Sequence, residues 1–426
     1  MPTLLALREA RLHWSAARIG QECVHACRRF SYLSIVQPTL RLEPPRVESV
    51  DLLRGAVMVL MALDHVRDLF SNSAFTIDPT DLTRTTPALF LTRWVTHFCA
   101  PVFVFLSGTS VYLSEIRGKT KKQLTWFLMT RGLFLVILDP TLIRHTFFMW
   151  DLNWRFTFVQ VIWVIGWSMI VLAGLIHLPR WVVAAFGIGM AAMHNLLDPV
   201  TPDQLGAWGG LWKVLHVQSM IEPFSGFQCM IAYPLIPWIG VMAAGYAFGG
   251  LLQGDAVHRR RRLLALGLTM TVAFIVFRAA NVYGDPNPWD MQKGSLFTVL
   301  SFVNCTKYPP SLSYLLMTLG PAIAAMAVFN RPLGAVGRVV MVFGRVPMFF
   351  YLIHAPFAHV LAAVAALCQY GPQAWNVSPF NPPAVYGFSL PVVYLAWVGV
   401  VFALYFPCRW YAGVKQRRRD WWLSYL

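Results

Sequence analysis

Apolar residues along the chain gather into long runs, each about as long as a membrane-spanning helix. A helix rises about 1.5 Å per residue, so about 20 apolar residues cross the hydrocarbon core of a bilayer. Ten such runs can be read from the sequence, at roughly 49–70, 92–113, 124–147, 157–178, 181–197, 228–252, 262–280, 311–329, 343–367 and 390–408. They predict an all-α fold, a polytopic transmembrane helical bundle of about ten spans.

The composition agrees with a membrane environment. Hydrophobic residues make up 57% of the chain and charged residues 13%, whereas about a quarter of the residues of a soluble protein are charged. We therefore expect a multi-pass protein of the inner (plasma) membrane. The runs divide the chain into a cytoplasmic N-terminal segment (1–47), a transmembrane domain (48–410) and a basic cytoplasmic tail (411–426).

Basic residues are concentrated in alternate connections between the predicted spans. Clusters occur at Arg117–Lys122, at "HRRRR" (residues 258–262) and at "KQRRR" (residues 415–419). Cytoplasmic loops carry such an excess of lysine and arginine, so both termini are predicted to be cytoplasmic. The formal charge of +16 is thereby explained by the orientation of the chain in the membrane. Anionic membrane lipids are the expected partners of these basic residues. Nucleic acid is not expected as a partner.

The cysteines do not predict a metal site. Among the seven cysteines, the cluster "CVHAC" (residues 23–27) is the one short group, and a lone cluster of this kind is a weak signal. No metal is therefore expected. The sequence does not decide the oligomeric state, and a homodimer stays open.

The first span carries ionisable residues where lipid tails are expected. Arg54 and His65 are eleven residues apart, almost three helical turns, which places them on one stripe about 16 Å apart. Asp64 and Arg67 are three apart and are predicted to neutralise each other. Ionisable side chains inside a membrane usually face a cavity and mark a site, so Asp64 and His65 are candidate site residues.

Two further histidines lie beside prolines inside predicted spans. Pro101 has no N–H and pushes away the carbonyl of His97 four residues earlier, which predicts a kink with a free carbonyl. His354 follows Pro347 by seven residues in the ninth span, which predicts a broken helix that lines a polar cavity. With His65, these residues suggest a chamber that moves protons, binds a substrate or performs acid–base chemistry.

Other polar residues are predicted to accompany the histidines. Asn153 and Gln160, seven apart, share a face at the start of the fourth span, where Gln160 suits a cavity or an interhelical hydrogen bond. Lys307 is expected at the outer edge of the eighth span. Small residues in the sixth span, Gly240 and Gly245 among them, predict close helix packing.

Five segments in order carry a resemblance to a known family. They are "RVESVDLLRGAVMVLMALDH", "FCAPVFVFLSGTSVYLS", "FVQVIWVIGWSMI", "YPLIPWIGVMAAGY" and "KYPPSLSYLLMTLGP" with "FGRVPMFFYLIHAPFAH". Together they resemble the bacterial branch of the heparan-alpha-glucosaminide N-acetyltransferase catalytic family, from Arg46 to about residue 410. They are also distantly similar to integral-membrane acyltransferases that O-acylate glycans.

The resemblance implies acyl transfer across the membrane. The donor would be cytoplasmic acyl-CoA, typically acetyl-CoA, bound by Arg54, and the acceptor an extracytoplasmic sugar or glycan. His65 or His97 would be catalytic, as general base or as transient acyl carrier. The acceptor chamber would be lined by a wider polar set, namely Asp64, Asn153, Gln160, Lys307 and His354.

One departure from the family pattern bears on the catalytic residue. The lysosomal member has an asparagine where His65 stands and keeps its histidine in the following loop, but no histidine occurs here between Ser71 and Val95. The catalytic role could therefore have moved to His65 or His97. Neither the acceptor nor the choice between the two histidines follows from the sequence.

Two other function classes are open to a membrane protein with such residues. A proton-coupled transporter or permease would use the same histidines as relays, and its expected sign is internal symmetry between two halves. No convincing repeat relates residues 49–200 to residues 228–408, which favours the enzyme. A structural or scaffold protein is disfavoured because an ionisable residue in lipid costs at least about 2.5 kcal/mol.

Overall fold

The computed structural model describes residues 47–73, 76–147, 155–329, 334–372, 386–418 and 420–425, and the description below applies to these ranges. The fold is mostly helical. Its helices are α1 (Glu48–Phe70), α2 (Pro87–Thr96), α3 (Cys99–Ile116), α4 (Lys121–Leu138), α5 (Arg144–Phe147), α6 (Val161–Leu175), α7 (Arg180–Met193), α8 (Gly209–Leu215), α9 (Leu235–Phe248), α10 (Ala256–Ala280), α11 (Ser295–Val303), α12 (Leu312–Val328), α13 (Ala335–Arg345), α14 (Pro347–Tyr370) and α15 (Leu390–Arg417). Each of the ten predicted runs contains one of them.

Six helical stretches within the described ranges are long and apolar enough to cross a membrane. They are Pro87–Ile116, Lys121–Thr146, Leu235–Leu252, Ala256–Ala280, Pro347–Tyr370 and Leu390–Arg417. A seventh is obtained if Arg180–Leu197 and Pro202–Leu215, which meet at a bend of 114°, count as one span. The protein is thus a membrane protein, and the prediction of ten spans with cytoplasmic termini stays a prediction.

The fold is mostly helical as predicted, but the described residues also form three short strands, two of them at the starts of the fourth and sixth runs. The strands are β1 (Phe156–Val159), β2 (Ser219–Phe224) and β3 (Phe227–Ile231), in the order β1-β3-β2. β1 is parallel to β3, with Phe156 opposite Gln228, and β2 is antiparallel to β3. Short apolar runs with aromatic residues read alike as strand or helix, so hydropathy alone missed this sheet.

Glycines allow several helices to approach closely, as predicted for the sixth span. A Cβ on Gly245 of α9 would collide with the backbone of Phe105 in α3, and a Cβ on Gly240 would lie 2.9 Å from the carbonyl oxygen of Gly187 in α7. The prediction of a small-residue packing surface on α9 is therefore confirmed. A Cβ on Gly55 of α1 would likewise collide with the Val340 carbonyl of α13.

The loop between α10 and α12 is fixed by two buried charged residues. The guanidinium of Arg278 donates to the carbonyls of Phe302 and Asn304 at 2.9 and 2.8 Å. The carboxylate of Asp285 accepts from the backbone N–H of Thr306 at 3.0 Å and from the hydroxyl of Ser311 at 2.7 Å. This loop carries Lys307, so its position in the fold is set by these bonds.

Candidate functional site

A cavity lined by basic and apolar side chains lies among α1, α3, α4, α6, α13, α14 and α15. Its volume is about 310 Å³. Its basic side chains are Arg54, Arg131, Arg345 and Lys415, and its apolar wall includes Met58 and Phe103. We call it the basic cavity. Four cationic groups around one space favour an anionic ligand.

Arg54 is held in place by three neighbouring groups. Its guanidinium donates to the hydroxyl of Ser110 at 2.7 Å, to the carboxylate of Asp51 at 3.0 Å and to the carbonyl of Gly344 at 3.3 Å. The side chain keeps 16% exposure. The guanidinium is therefore oriented in the wall of the basic cavity, where the sequence predicted a donor-binding residue.

A second cavity, of about 300 Å³, is lined by polar residues and is called the polar pocket. Its lining comes from the loop between α10 and α12, from the segment after α1, and from α2 with the residue that follows it. The lining residues are Asp78, Thr80, Arg93, His97, Asn287, Asn304, Cys305, Thr306, Lys307 and Tyr308. Two of the residues predicted from sequence, His97 and Lys307, therefore meet in one pocket.

His97 lies in the break between α2 and α3. Its carbonyl accepts a hydrogen bond of 2.7 Å from the hydroxyl of Tyr314, and the two rings are 5.4 Å apart. The kink expected from Pro101 is confirmed, and the carbonyl released from the helix is satisfied by Tyr314. The imidazole is 2% exposed, and Nδ1 has no hydrogen-bond partner among the described residues.

Lys307 and Tyr308 form the loop side of the polar pocket. The Lys307 ammonium lies 5.1 Å from the centre of the Tyr308 ring. Burial alone would raise the pKa of Tyr308, but the positive charges of Lys307 and Arg93 outweigh it and hold this pKa below its ordinary value. A phenol beside two cations loses its proton more readily than a phenol in water.

Asp64 is the centre of a charge network between α1 and α2. Its carboxylate accepts two contacts from the Arg93 guanidinium, at 2.8 and 2.6 Å, and one from the hydroxyl of Thr96 at 2.8 Å. Arg67 lies 2.8 Å from the same carboxylate, so the predicted Asp64–Arg67 pair is confirmed. Arg93, which links Asp64 to the polar pocket, was not among the site residues predicted from the sequence.

His65 and His354 contact each other across α1 and α14. Their ring centres are 5.1 Å apart. Nδ1 of His354 lies 2.7 Å from the carbonyl oxygen of Tyr351 and 3.1 Å from that of Phe350. A carbonyl only accepts, so Nδ1 carries the proton and Nε2 is the basic nitrogen. His354 is fully buried.

A row of side chains connects the two cavities. Tyr351 lines the basic cavity, and its ring centre is 5.5 Å from that of His354. His354 contacts His65, whose neighbour Asp64 holds Arg93 in the wall of the polar pocket. The three predicted histidines therefore occupy two places, with His65 and His354 in this row and His97 in the polar pocket.

Gln160, one of the predicted chamber residues, lies outside both cavities. Gln160 precedes α6 instead of lying within a span, and its backbone N–H donates to the Asp139 carboxylate at 2.9 Å. Asp139 also accepts from the N–H of Trp163 at 2.7 Å and so caps the start of α6. The predicted position of Gln160 inside a helix was wrong. Asn153 lies outside the described residues.

Comparison with known proteins identifies the family to which the chain belongs. The model of a family described as heparan-alpha-glucosaminide N-acetyltransferase, catalytic, matches residues 46–283 of the 426-residue chain. No curated protein matches the chain significantly. The matched range is more than half of the chain and contains Arg54, Asp64, His65, Arg93 and His97, whereas Lys307 and His354 lie beyond it.

Proposed function

Because the chain belongs to the heparan-alpha-glucosaminide N-acetyltransferase catalytic family, we propose that it transfers an acetyl group from cytoplasmic acetyl-CoA to an extracytoplasmic sugar or glycan. The family makes it a membrane transferase. The identity of the donor, the identity of the acceptor and the roles of the residues are what we propose in addition. The observation that carries it is the row of side chains that joins a basic cavity to a polar pocket.

The basic cavity suits the donor. Coenzyme A carries phosphate groups, and arginine is the side chain best shaped to bind phosphate. Arg54 and Arg131 lie in the same lining as Arg345 and Lys415. The apolar wall, with Met58 and Met348, would receive the less polar arm that carries the thioester. The thioester would then point toward Tyr351 and His354.

The polar pocket suits a hydroxyl-rich or amino acceptor. Its lining combines two cations, Arg93 and Lys307, with the carboxylate of Asp78 and the side chains of Asn287 and Asn304. Such a set offers both donors and acceptors of hydrogen bonds to a sugar. His97 would lie beside the reacting group of the acceptor.

The reaction can proceed by either of two routes. In direct transfer, His97 takes the proton from the acceptor amine or hydroxyl as that atom attacks the thioester carbonyl. The carbon–sulfur bond then breaks, and coenzyme A leaves as the thiolate and takes up a proton. In the second route, an imidazole nitrogen of His65 attacks the thioester carbonyl first, the carbon–sulfur bond breaks as coenzyme A leaves, and the acetyl group then passes from this nitrogen to the acceptor. In both routes the proton lost by the acceptor balances the proton that coenzyme A takes up as a thiol.

Transfer of radiolabelled acetyl from acetyl-CoA by the purified, detergent-solubilised protein tests the proposal. Amino sugars and envelope glycans serve as the acceptor panel, and Arg54→Gln is compared with Lys122→Gln, an exposed basic residue outside the cavity. Acceptor-dependent transfer that is weakened by Arg54→Gln alone is the expected result. Absence of both transfer and acetyl-CoA binding in the wild type would refute it, and substrate flux in liposomes would then test transport.

A further inference from the structure

A cluster of potential metal ligands lies outside both cavities, at the bend between α7 and α8. His194 and Asp198 lie on the turns that end the first arm of the bend, and His216 directly follows the second arm. One atom from each side chain can be chosen so that all three lie within 4.8 Å of one another. Nε2 of His216 is already 3.1 Å from a carboxylate oxygen of Asp198.

Among the described residues, three of the four imidazole nitrogens of this cluster lack the hydrogen bonds that buried imidazoles normally make. His194 and His216 are each 2% exposed. Within the described residues, neither ring nitrogen of His194 makes a hydrogen bond, nor does Nδ1 of His216. The Pro310 carbonyl lies near His194 but without hydrogen-bond geometry. Buried polar atoms are rarely left in this state, and a bound ion is one established explanation.

We propose that His194, Asp198 and His216 bind one divalent transition-metal ion, with zinc as the first candidate. Two imidazoles and one carboxylate form a donor set that zinc accepts, with water in the fourth position. The side chain of Asp198 keeps 21% exposure, so the ion can enter from the surface. Ligand atoms of tetrahedral zinc lie about 3.3 Å apart, so the His194 ring must turn inward on binding.

The surroundings of the cluster resemble the outer layer of a metal site. The amide of Asn195 donates to the second oxygen of Asp198 at 2.8 Å, and its oxygen accepts from the backbone N–H of Leu312 at 2.9 Å. The Trp212 ring packs on His216 with centres 5.1 Å apart. Hydrogen-bonded ligands of this kind are typical of metal sites.

The ion would have a structural role. It would join the two arms of the bend and, through Asn195 and Leu312, fix the bend to the start of α12. The loop before α12 carries Lys307 and Tyr308 of the polar pocket. The proposal does not depend on acyl transfer, because it concerns binding of the ion alone. The expectation of no metal was based on the spacing of the cysteines alone, whereas this cluster consists of two histidines and an aspartate.

Metal content of the purified full chain tests the proposal. Cys23 and Cys27 are first replaced by serine, and the purification uses a tag without histidine, so that neither this cysteine pair nor the tag contributes. The protein is incubated with Zn²⁺, desalted and analysed by elemental mass spectrometry. One zinc per chain is expected, with a rise in the melting temperature that a chelator reverses. Asp198→Asn and His216→Gln should each lower the affinity at least about tenfold.

The control is His177→Gln, which removes an exposed histidine that contacts Thr125 outside the cluster. It should bind zinc like the parent protein. Asp198→Asn decides the matter if His216→Gln fails to fold, because Asp198 is partly exposed and its amide replacement has nearly the same shape. Zinc content near zero in the parent, or equal in the parent and in Asp198→Asn, would show that His216 and Asp198 are only a hydrogen-bonded pair.

Discussion

Asp64 of α1 holds the guanidinium of Arg93 in α2 through both carboxylate oxygens, at distances of 2.8 and 2.6 Å. Arg93 lines the polar pocket beside His97. The carboxylate of Asp64 thus holds the guanidinium of Arg93 in the wall of the polar pocket. A residue in the first predicted span thereby acts on the pocket through its neighbour, as a positioning residue.

Replacing Asp64 by asparagine is expected to destabilise the protein and to weaken acceptor binding. Removal of one partner from a buried ion pair costs about 3–5 kcal/mol, and the cost should be smaller here, because the pair is partly exposed, although the guanidiniums of Arg93 and Arg67 both lose the carboxylate they share. The double variant Asp64→Asn, Arg93→Gln should lose less than the sum of the two single losses. Thermal unfolding of all three variants measures this coupling, and additive losses would contradict it.

Replacing Arg54 by glutamine is expected to raise the KM for acetyl-CoA about tenfold to a hundredfold. A hydrogen bond to a charged group contributes about 1.5–3 kcal/mol, and Arg54 is oriented in the cavity wall by Ser110. Steady-state kinetics at varied acetyl-CoA, with saturating acceptor, provide the measurement. Lys122→Gln is the matched control, and an equal rise in KM there would point to general surface charge.

The two histidine routes predict different variants to be inactive. If His97 is the general base, His97→Gln should lower kcat by about 10²–10⁴, while acid quenching of His65→Gln and of the wild type should trap no acetyl-enzyme. If His65 carries the acetyl group, the wild type incubated with labelled acetyl-CoA alone should retain protein-bound label that His65→Gln lacks. Both measurements are made on variants whose melting temperatures match the wild type.

The sequence predicted what depends on local geometry. Asp64 and Arg67 are three residues apart on a helix, and their ion pair follows from that spacing. The helix break at His97 follows from Pro101, because proline lacks the N–H that would bond to the carbonyl of His97 four residues earlier. Both expectations were confirmed because each depends only on residues three or four positions apart in the chain.

The sequence could not predict what depends on packing between helices. Arg93 reaches Asp64 from another helix, and the basic cavity combines Arg54, Arg131 and Arg345 from three helices. The one signal for Arg93 in the sequence was its positive charge within an apolar run, which is opposite in sign to the charge of Asp64. The pairing of β1 with β3 joins residues 156–159 to residues 228–231, which hydropathy does not connect.

Tyr308 is expected to ionise below the ordinary tyrosine pKa of about 10. The charges of Lys307 and Arg93 lower this pKa against the opposing effect of burial. Because folding lowers the pKa, the tyrosinate contributes to stability above the unfolded pKa, and the contribution is lost as pH falls through the folded pKa. Ultraviolet titration of the wild type minus Tyr308→Phe isolates this group. Lys307→Gln should move its titration to higher pH, and an unchanged titration would contradict the assignment.

Asp285 is expected to set the acceptor affinity without touching the acceptor. Its carboxylate accepts hydrogen bonds from the N–H and hydroxyl of Thr306, at 3.0 and 2.7 Å, next to Lys307 in the polar pocket. In Asp285→Asn, one oxygen becomes an amide donor that faces these donors, and each buried group left unsatisfied costs about 1–3 kcal/mol. The KM for the acceptor should therefore rise, while the KM for acetyl-CoA stays unchanged. Asp290→Asn, in an exposed part of the same loop, is the control. A rise in both KM values for Asp285→Asn would mean that the change unfolds more than the loop.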